Sequence, residues 1–160
     1  MRRAAILVVG VLGLTAAAAA ARVDARPDVA TAETPSASQD RAPAVFTDQQ
    51  ASRGQDVYTR ACAACHRNDL CGNEDGAPAL RGAAFVGRWA GRPLSEFYFV
   101  LAETMPQDAP GDLTAREYVD IISFVLQRNG MSAGAKDLPA DMPSLSTMAL
   151  TTPRESGTCR

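Results

Sequence analysis

The chain is poor in histidine, cysteine and tryptophan: one His, four Cys and one Trp among 160 residues. Four cysteines are too few for a disulfide-built scaffold, yet more than an incidental buried thiol explains. Basic stretches are missing as well. Lys and Arg number 16 against 18 Asp and Glu, a formal charge of −2, and Arg2 and Arg3 stand at the very start. Without a cationic stripe to neutralise phosphates, nucleic acid is excluded as a partner. No stretch alternates apolar and polar residues at period two, so a sheet is not expected and the fold class reads as all-α. Beyond the first 21 residues no segment is long and apolar enough to span a bilayer. The length suits one domain with appendages.

Residues 1–21 combine Arg2-Arg3 with the unbroken apolar and small-residue run Ala4–Ala21. A basic start, an apolar middle and a small-residue end is the pattern of an export signal, with cleavage sites after Ala21 or Ala25. The alternative is an uncleaved anchor, the one route by which the chain would meet a membrane. Either way the expected location is the periplasm. Residues 22–44 are rich in Ala, Pro, Ser, Thr and Asp and hold almost no large apolar side chain. Such a segment buries too little to offset its ordering entropy and reads as a flexible linker.

From 45 to 130 the pattern turns helical. Thr47 caps a first helix with Gln50 reaching back, and Gly54, Val57, Tyr58, Ala61 and Cys65 share a face at three- and four-residue spacing. A second helix follows Pro93 with the stripe Leu94, Phe97, Tyr98, Leu101, and it ends at Thr104-Met105 because Pro106 disfavours helical backbone before it. Thr114 to Glu117 is a capping box that opens a third, with Tyr118, Ile121, Ile122 and Val125 on its buried side and Gly130 as its stop. Segments 72–92 and 106–112, rich in Gly and Pro, read as loops. The tail, 131–160, carries Pro139, Pro143 and Pro153 and scattered apolar residues, and is expected to lie over the surface.

Chemistry concentrates in Cys62-Ala63-Ala64-Cys65-His66. Two cysteines three apart at a helix end face the same way, and the only histidine follows at once. That arrangement lets both thiols add to the vinyl groups of one haem while the imidazole takes the iron from one side. A dithiol redox pair would need a strand–helix–strand setting, which the sequence lacks. A zinc site would need four ligands, and Cys62, Cys65, Cys71 and Cys159 do not fall into two close-spaced couples. A plain structural disulfide gives no reason for His66.

The stretch 45–130 resembles the class I c-type cytochromes, in which three main helices wrap one covalently attached haem c. The resemblance rests on Cys62 to His66, on Gly54 and Tyr58, and on Gly76-Ala77-Pro78-Ala79-Leu80, twelve positions beyond the histidine. It implies that Gly54 lets the first helix cross the last closely, against an aromatic such as Tyr118. It implies too that the Pro78 carbonyl accepts from the second ring nitrogen of His66, orienting the ring and raising its basicity. The stretch Met105 to Gly111 is similar to the family's ligand-methionine loop, so Met105 is the expected second axial ligand and Met131 its substitute. Arg81, Arg88 and Trp89 suit a haem propionate through charge-assisted hydrogen bonds, against the simpler reading of a core tryptophan beside solvated arginines. Cys71 and Cys159 have no counterpart in the family pattern. In an oxidising compartment two spare cysteines most simply pair.

The expected function is an exported monohaem electron carrier. Both axial positions are filled by side chains, and Met/His ligation raises the reduction potential. The rival is a haem enzyme or a gas- or peroxide-reactive protein in which Met105 detaches. Ala84-Phe85, Trp89, the Met105 to Gly111 loop and Leu138 to Asp141 resemble cytochromes that accompany quinoprotein alcohol dehydrogenases. That likeness implies a PQQ-dependent dehydrogenase as donor, with a terminal oxidase or another cytochrome as acceptor.

Overall fold

A computed structural model describes residues 42–43, 46–151 and 158–159. The leader and nearly all of the linker lie outside the described residues, as does Pro153. Among the described residues there are six helices: α1 (Asp48–Ala61), α2 (Ala63–His66), α3 (Ala83–Trp89), α4 (Leu94–Thr104), α5 (Ala115–Arg128) and α6 (Met142–Thr147). Extended pairing among the described residues is limited to the two-residue parallel strands β1 (Ala42–Pro43) and β2 (Met148–Ala149), with single bridges from Ala90 to Leu150 and Pro93 to Ala149. The fold is all-α.

α1 and α5 begin where local chemistry supplies caps. Thr47 Oγ1 accepts from the Gln50 amide at 3.0 Å, and Thr114 and Glu117 close the reciprocal box that starts α5. α1 buries Ala51, Gly54, Val57 and Tyr58, and α5 buries an unbroken run from Tyr118 to Leu126. The two cross at backbone distance: a Cβ on Gly54 would stand 1.8 Å from the Asp120 carbonyl oxygen. The atoms that face the glycine belong to Asp120 and Ile121, so the close neighbour there is main chain rather than the Tyr118 ring.

Three features depart from the sequence reading. The helix whose apolar face runs on to Cys65 breaks at Cys62, where φ is −127° and ψ −32°, and restarts as the single turn α2. The segment 72–92 is not all loop, because α3 forms within it. α3 has no side-chain cap and only seven residues; burial of Phe85 and Trp89 four residues apart holds it, an effect of packing that no local signal announces. The tail does more than lie over the surface. Leu138, Leu145 and Leu150 belong to the same buried cluster as Phe46, Tyr58, Phe97 and Ile122, and α6 packs on α4.

Buried polar groups fasten these parts. The Gln50 amide imitates a backbone, donating to the Leu138 carbonyl at 3.0 Å and accepting from its N–H at 2.6 Å. Asn129, fully buried at the end of α5, accepts from the Gly82 amide at 3.0 Å and donates to the Leu80 carbonyl at 2.9 Å. It thereby ties α5 to the approach into α3.

Candidate haem site

The break at Cys62 sets out the site's first three side chains. Cys62 and Cys65 are unbonded thiols, one half-buried and the other exposed, and His66 is 7% exposed. The turn is held by the His66 amide donating to the Cys62 carbonyl at 2.9 Å and that of Cys65 to the same oxygen at 3.2 Å. Desolvation pushes the Cys62 thiol up to about 11, with the neighbouring Cys65 adding to the rise. At neutral pH it is therefore a protonated thiol.

His66 Nδ1 lies 2.9 Å from the Pro78 carbonyl oxygen. A carbonyl only accepts, so the ring carries its proton on Nδ1 and directs the Nε2 lone pair elsewhere. The chain turns sharply after the histidine, with Arg67 and Leu70 both at φ 63°, and the Tyr58 hydroxyl donates to the Arg67 carbonyl at 2.7 Å. Burial raises the Tyr58 phenol above its ordinary value, so it stays a donor. Beyond the turn, Gly72 at φ +70° has no Cβ to spare: one would stand 2.1 Å from the Ala77 carbonyl oxygen and 2.8 Å from the carbonyl carbon of Pro78.

Met105 caps the end of α4 in extended conformation, φ −132° and ψ 146°, as the following proline demands. Its half-buried side chain packs against the core cluster, as those of Cys62 and Met131 do. Its carbonyl accepts from the Tyr118 hydroxyl at 2.9 Å.

The remaining sequence candidates separate into two groups. Trp89 is 6% exposed and packs on Phe97 with ring centroids 4.9 Å apart, while the guanidinium carbons of Arg88 and Arg92 lie 5.2 and 5.0 Å from its centroid. This is a core ring covered by two cations. Arg81 differs, because its Nε is buried and has no hydrogen-bond partner. Cys71 and Cys159 are joined by a disulfide with Cα atoms 5.4 Å apart, and Cys159 Sγ lies 3.8 Å from the Arg81 carbonyl oxygen.

Residues 49–125 match the family model described as cytochrome c oxidase, cbb3-type, subunit III. The chain carries a class I c-type cytochrome domain. No curated protein and no solved structure shows a significant match. A cytochrome c domain of this kind holds one covalently bound haem c and transfers electrons, and the residues present fit that group. Two free thiols flank a turn, an adjacent imidazole has its outer nitrogen already engaged, and an unpartnered buried N–H of Arg81 suits an anionic propionate.

Sequence reasoning had no hold on three contributors to the cytochrome site. The Tyr118 hydroxyl, the Asn129 amide and the Tyr58 hydroxyl each reach a backbone atom in another part of the fold. The one hint for Asn129 is a polar residue wedged between the buried stripe of α5 and its terminal glycine.

Proposed function

We propose that this cytochrome is an exported single-electron carrier in which Cys62 and Cys65 hold the haem as thioethers and His66 and Met105 take its two axial positions. When bound, the haem supplies a one-electron couple whose potential an axial thioether raises by favouring the ferrous state. The chain's own residues set the frame. Pro78 keeps the His66 ring in one orientation, Tyr118 steadies the backbone of Met105, and Arg81 offers a buried N–H to a propionate.

The observation that carries this reading is the His66 Nδ1 contact with Pro78, made beside two free thiols. It leaves one imidazole nitrogen for iron and fixes its direction before any metal is considered. With side chains at both axial positions the iron has no vacancy for a substrate, which favours a carrier over a haem enzyme. The basic and apolar pattern of residues 1–21 supports export to the periplasm, free after cleavage or tethered by the leader.

For partners we favour a quinoprotein alcohol dehydrogenase as donor, on the scattered likeness at Ala84-Phe85, Trp89 and Leu138 to Asp141. A terminal oxidase is the favoured acceptor, in keeping with the oxidase subunit named by the matched family.

Two measurements test this. The ferric holoprotein is expected to keep its low-spin Met/His spectrum when peroxide or nitric oxide is added; displacement of Met105 by either would turn the assignment towards a reactive haem enzyme. Mixing with a PQQ-dependent alcohol dehydrogenase and its alcohol is expected to reduce the haem, and absence of reduction removes that donor.

A further inference from the structure

The cystine lies outside the donor set, yet it touches the segment that steers the imidazole. Resting on the reading of His66 as an iron ligand, we propose that the Cys71–Cys159 bond is a positioning element for His66, a staple across residues 71–81 that keeps the Pro78 carbonyl on Nδ1.

No helix or strand lies between His66 and Ala83, so Pro78 hangs from a loop. Few backbone bonds hold that loop: Gly72 N to His66 O at 3.2 Å, Asn73 N to Ala77 O at 3.1 Å and Leu80 N to Leu70 O at 2.8 Å. Side chains add more near its ends, with Asp69 accepting from the Cys71 amide at 3.1 Å and Asn129 donating to the Leu80 carbonyl at 2.9 Å. Around Pro78, His66 apart, only the Asn73 side chain does so, accepting from the Ala77 amide at 3.0 Å. Segments built this way open locally at little cost unless something else fixes them.

The disulfide meets the loop at both ends. Cys71 enters the bond directly and precedes Gly72, whose backbone is pressed against Ala77 and Pro78 so tightly that a Cβ has no room. Cys159, 88 residues away in sequence, places its sulfur beside the Arg81 carbonyl oxygen. The cystine therefore flanks the acceptor at position 78, covalently at 71 and by a sulfur–carbonyl contact at 81. A crosslink over so long a separation constrains the denatured chain, and in the folded protein it fastens the Cys71 end of the segment to Cys159. What it protects is the Nδ1 bond, which governs ring orientation and the electron density given to iron.

The test uses matured holoprotein, as wild type and as the double variant Cys71→Ser/Cys159→Ser. Two readouts are taken: amide hydrogen exchange at Gly72, Asn73, Ala77 and Leu80, and the midpoint potential of the haem. In the variant these amides are expected to exchange about tenfold faster or more, beyond any general rise that lost global stability brings to the amides of α5. The potential is expected to move in the positive direction, because an imidazole that loses its Nδ1 partner stabilises ferric iron less. An unmoved potential overturns the proposal, whether or not exchange quickens, and leaves the bond as a tether for the tail.

If the variant fails to mature, the bond is opened in wild-type ferrous holoprotein with a phosphine. The thiols are capped with iodoacetamide, the same two readouts are taken, and the same results decide. A wild-type protein whose iron binds peroxide defeats the carrier reading instead, and the loop measurements still judge the staple.

Discussion

The hydroxyl of Tyr118 donates to the Met105 carbonyl at 2.9 Å, and its ring meets Tyr98 edge-on with centroids 5.9 Å apart. One side chain thus links the first turn of the third long helix to the backbone of the methionine that ends α4. Removing the oxygen while keeping the ring isolates that link. Tyr118→Phe is expected to destabilise the loop by about 1 kcal/mol, the usual net worth of such a bond. In the holoprotein the spectroscopic signal of methionine ligation should disappear on heating at a lower temperature than in wild type. Loss at the wild-type temperature would show that the hydroxyl does not hold Met105. Arg81 is the opposite case, since its buried Nε has no protein partner. Arg81→Met, which keeps the stem and deletes the donor, is expected to leave the apoprotein's stability nearly unchanged and to shift the haem potential or its pH dependence. An unaltered potential would remove Arg81 from the haem's surroundings.

At the scale of elements, the crossing of α1 on α5 permits no side chain at Gly54. Gly54→Ala is expected to cost about 2 kcal/mol or more, because the colliding atoms are main chain and the helices must part; denaturant unfolding would measure it. An alanine tolerated without loss would mean that the crossing is looser than 1.8 Å implies. α1, α4 and α5 were legible in the sequence because each carries both a terminal signal and an apolar stripe several turns long. α3 and α6 were not, since seven and six residues give no period to read and their support comes from tertiary burial. The break at Cys62 was hidden for another reason: the apolar spacing runs through it unbroken. The contiguous Cys62 to His66 needed no fold to be seen, and Pro78 was reached only through family likeness. The hydroxyl and amide contacts of Tyr58, Tyr118 and Asn129 depend on which distant carbonyl the fold delivers, and composition does not encode that.

Across the whole molecule, charge joins segments far apart in the chain. Arg53 on α1 bonds Asp120 on α5 at 3.0 Å and Asp137 in the tail at 2.8 Å, while Thr47 Oγ1 donates to Asp137. The Thr47 hydroxyl, and after it Arg53, hold the Asp137 carboxyl below its ordinary range. A carboxylate lowered in this way favours the folded state above its unfolded value of about 4. That contribution fades as pH falls through the lower folded value. Asp137→Asn is therefore expected to be less stable than wild type near neutrality by under about 1 kcal/mol, given the exposure of the pair. The gap should close towards pH 2–3 in denaturant midpoints measured across that range. A constant gap would point to packing rather than charge.

The family match ends at residue 125, but the molecule's interior does not. Leu138, Leu145 and Leu150 plug its flank, and the Gln50 amide grips the main chain of Leu138 from inside. A gene fragment trimmed to the matched span would lose those three leucines together with buried Phe46 and Leu126, each such side chain worth about 1.5–3 kcal/mol. That is comparable with the entire margin of a small domain. Such a fragment should come out of the cell aggregated or colourless, whereas one that runs through Leu150 should stay soluble and red. Anyone grafting this module onto an electrode or a fusion partner would do well to keep the chain through Cys159, and with it the bond to Cys71, rather than cut after the last helix.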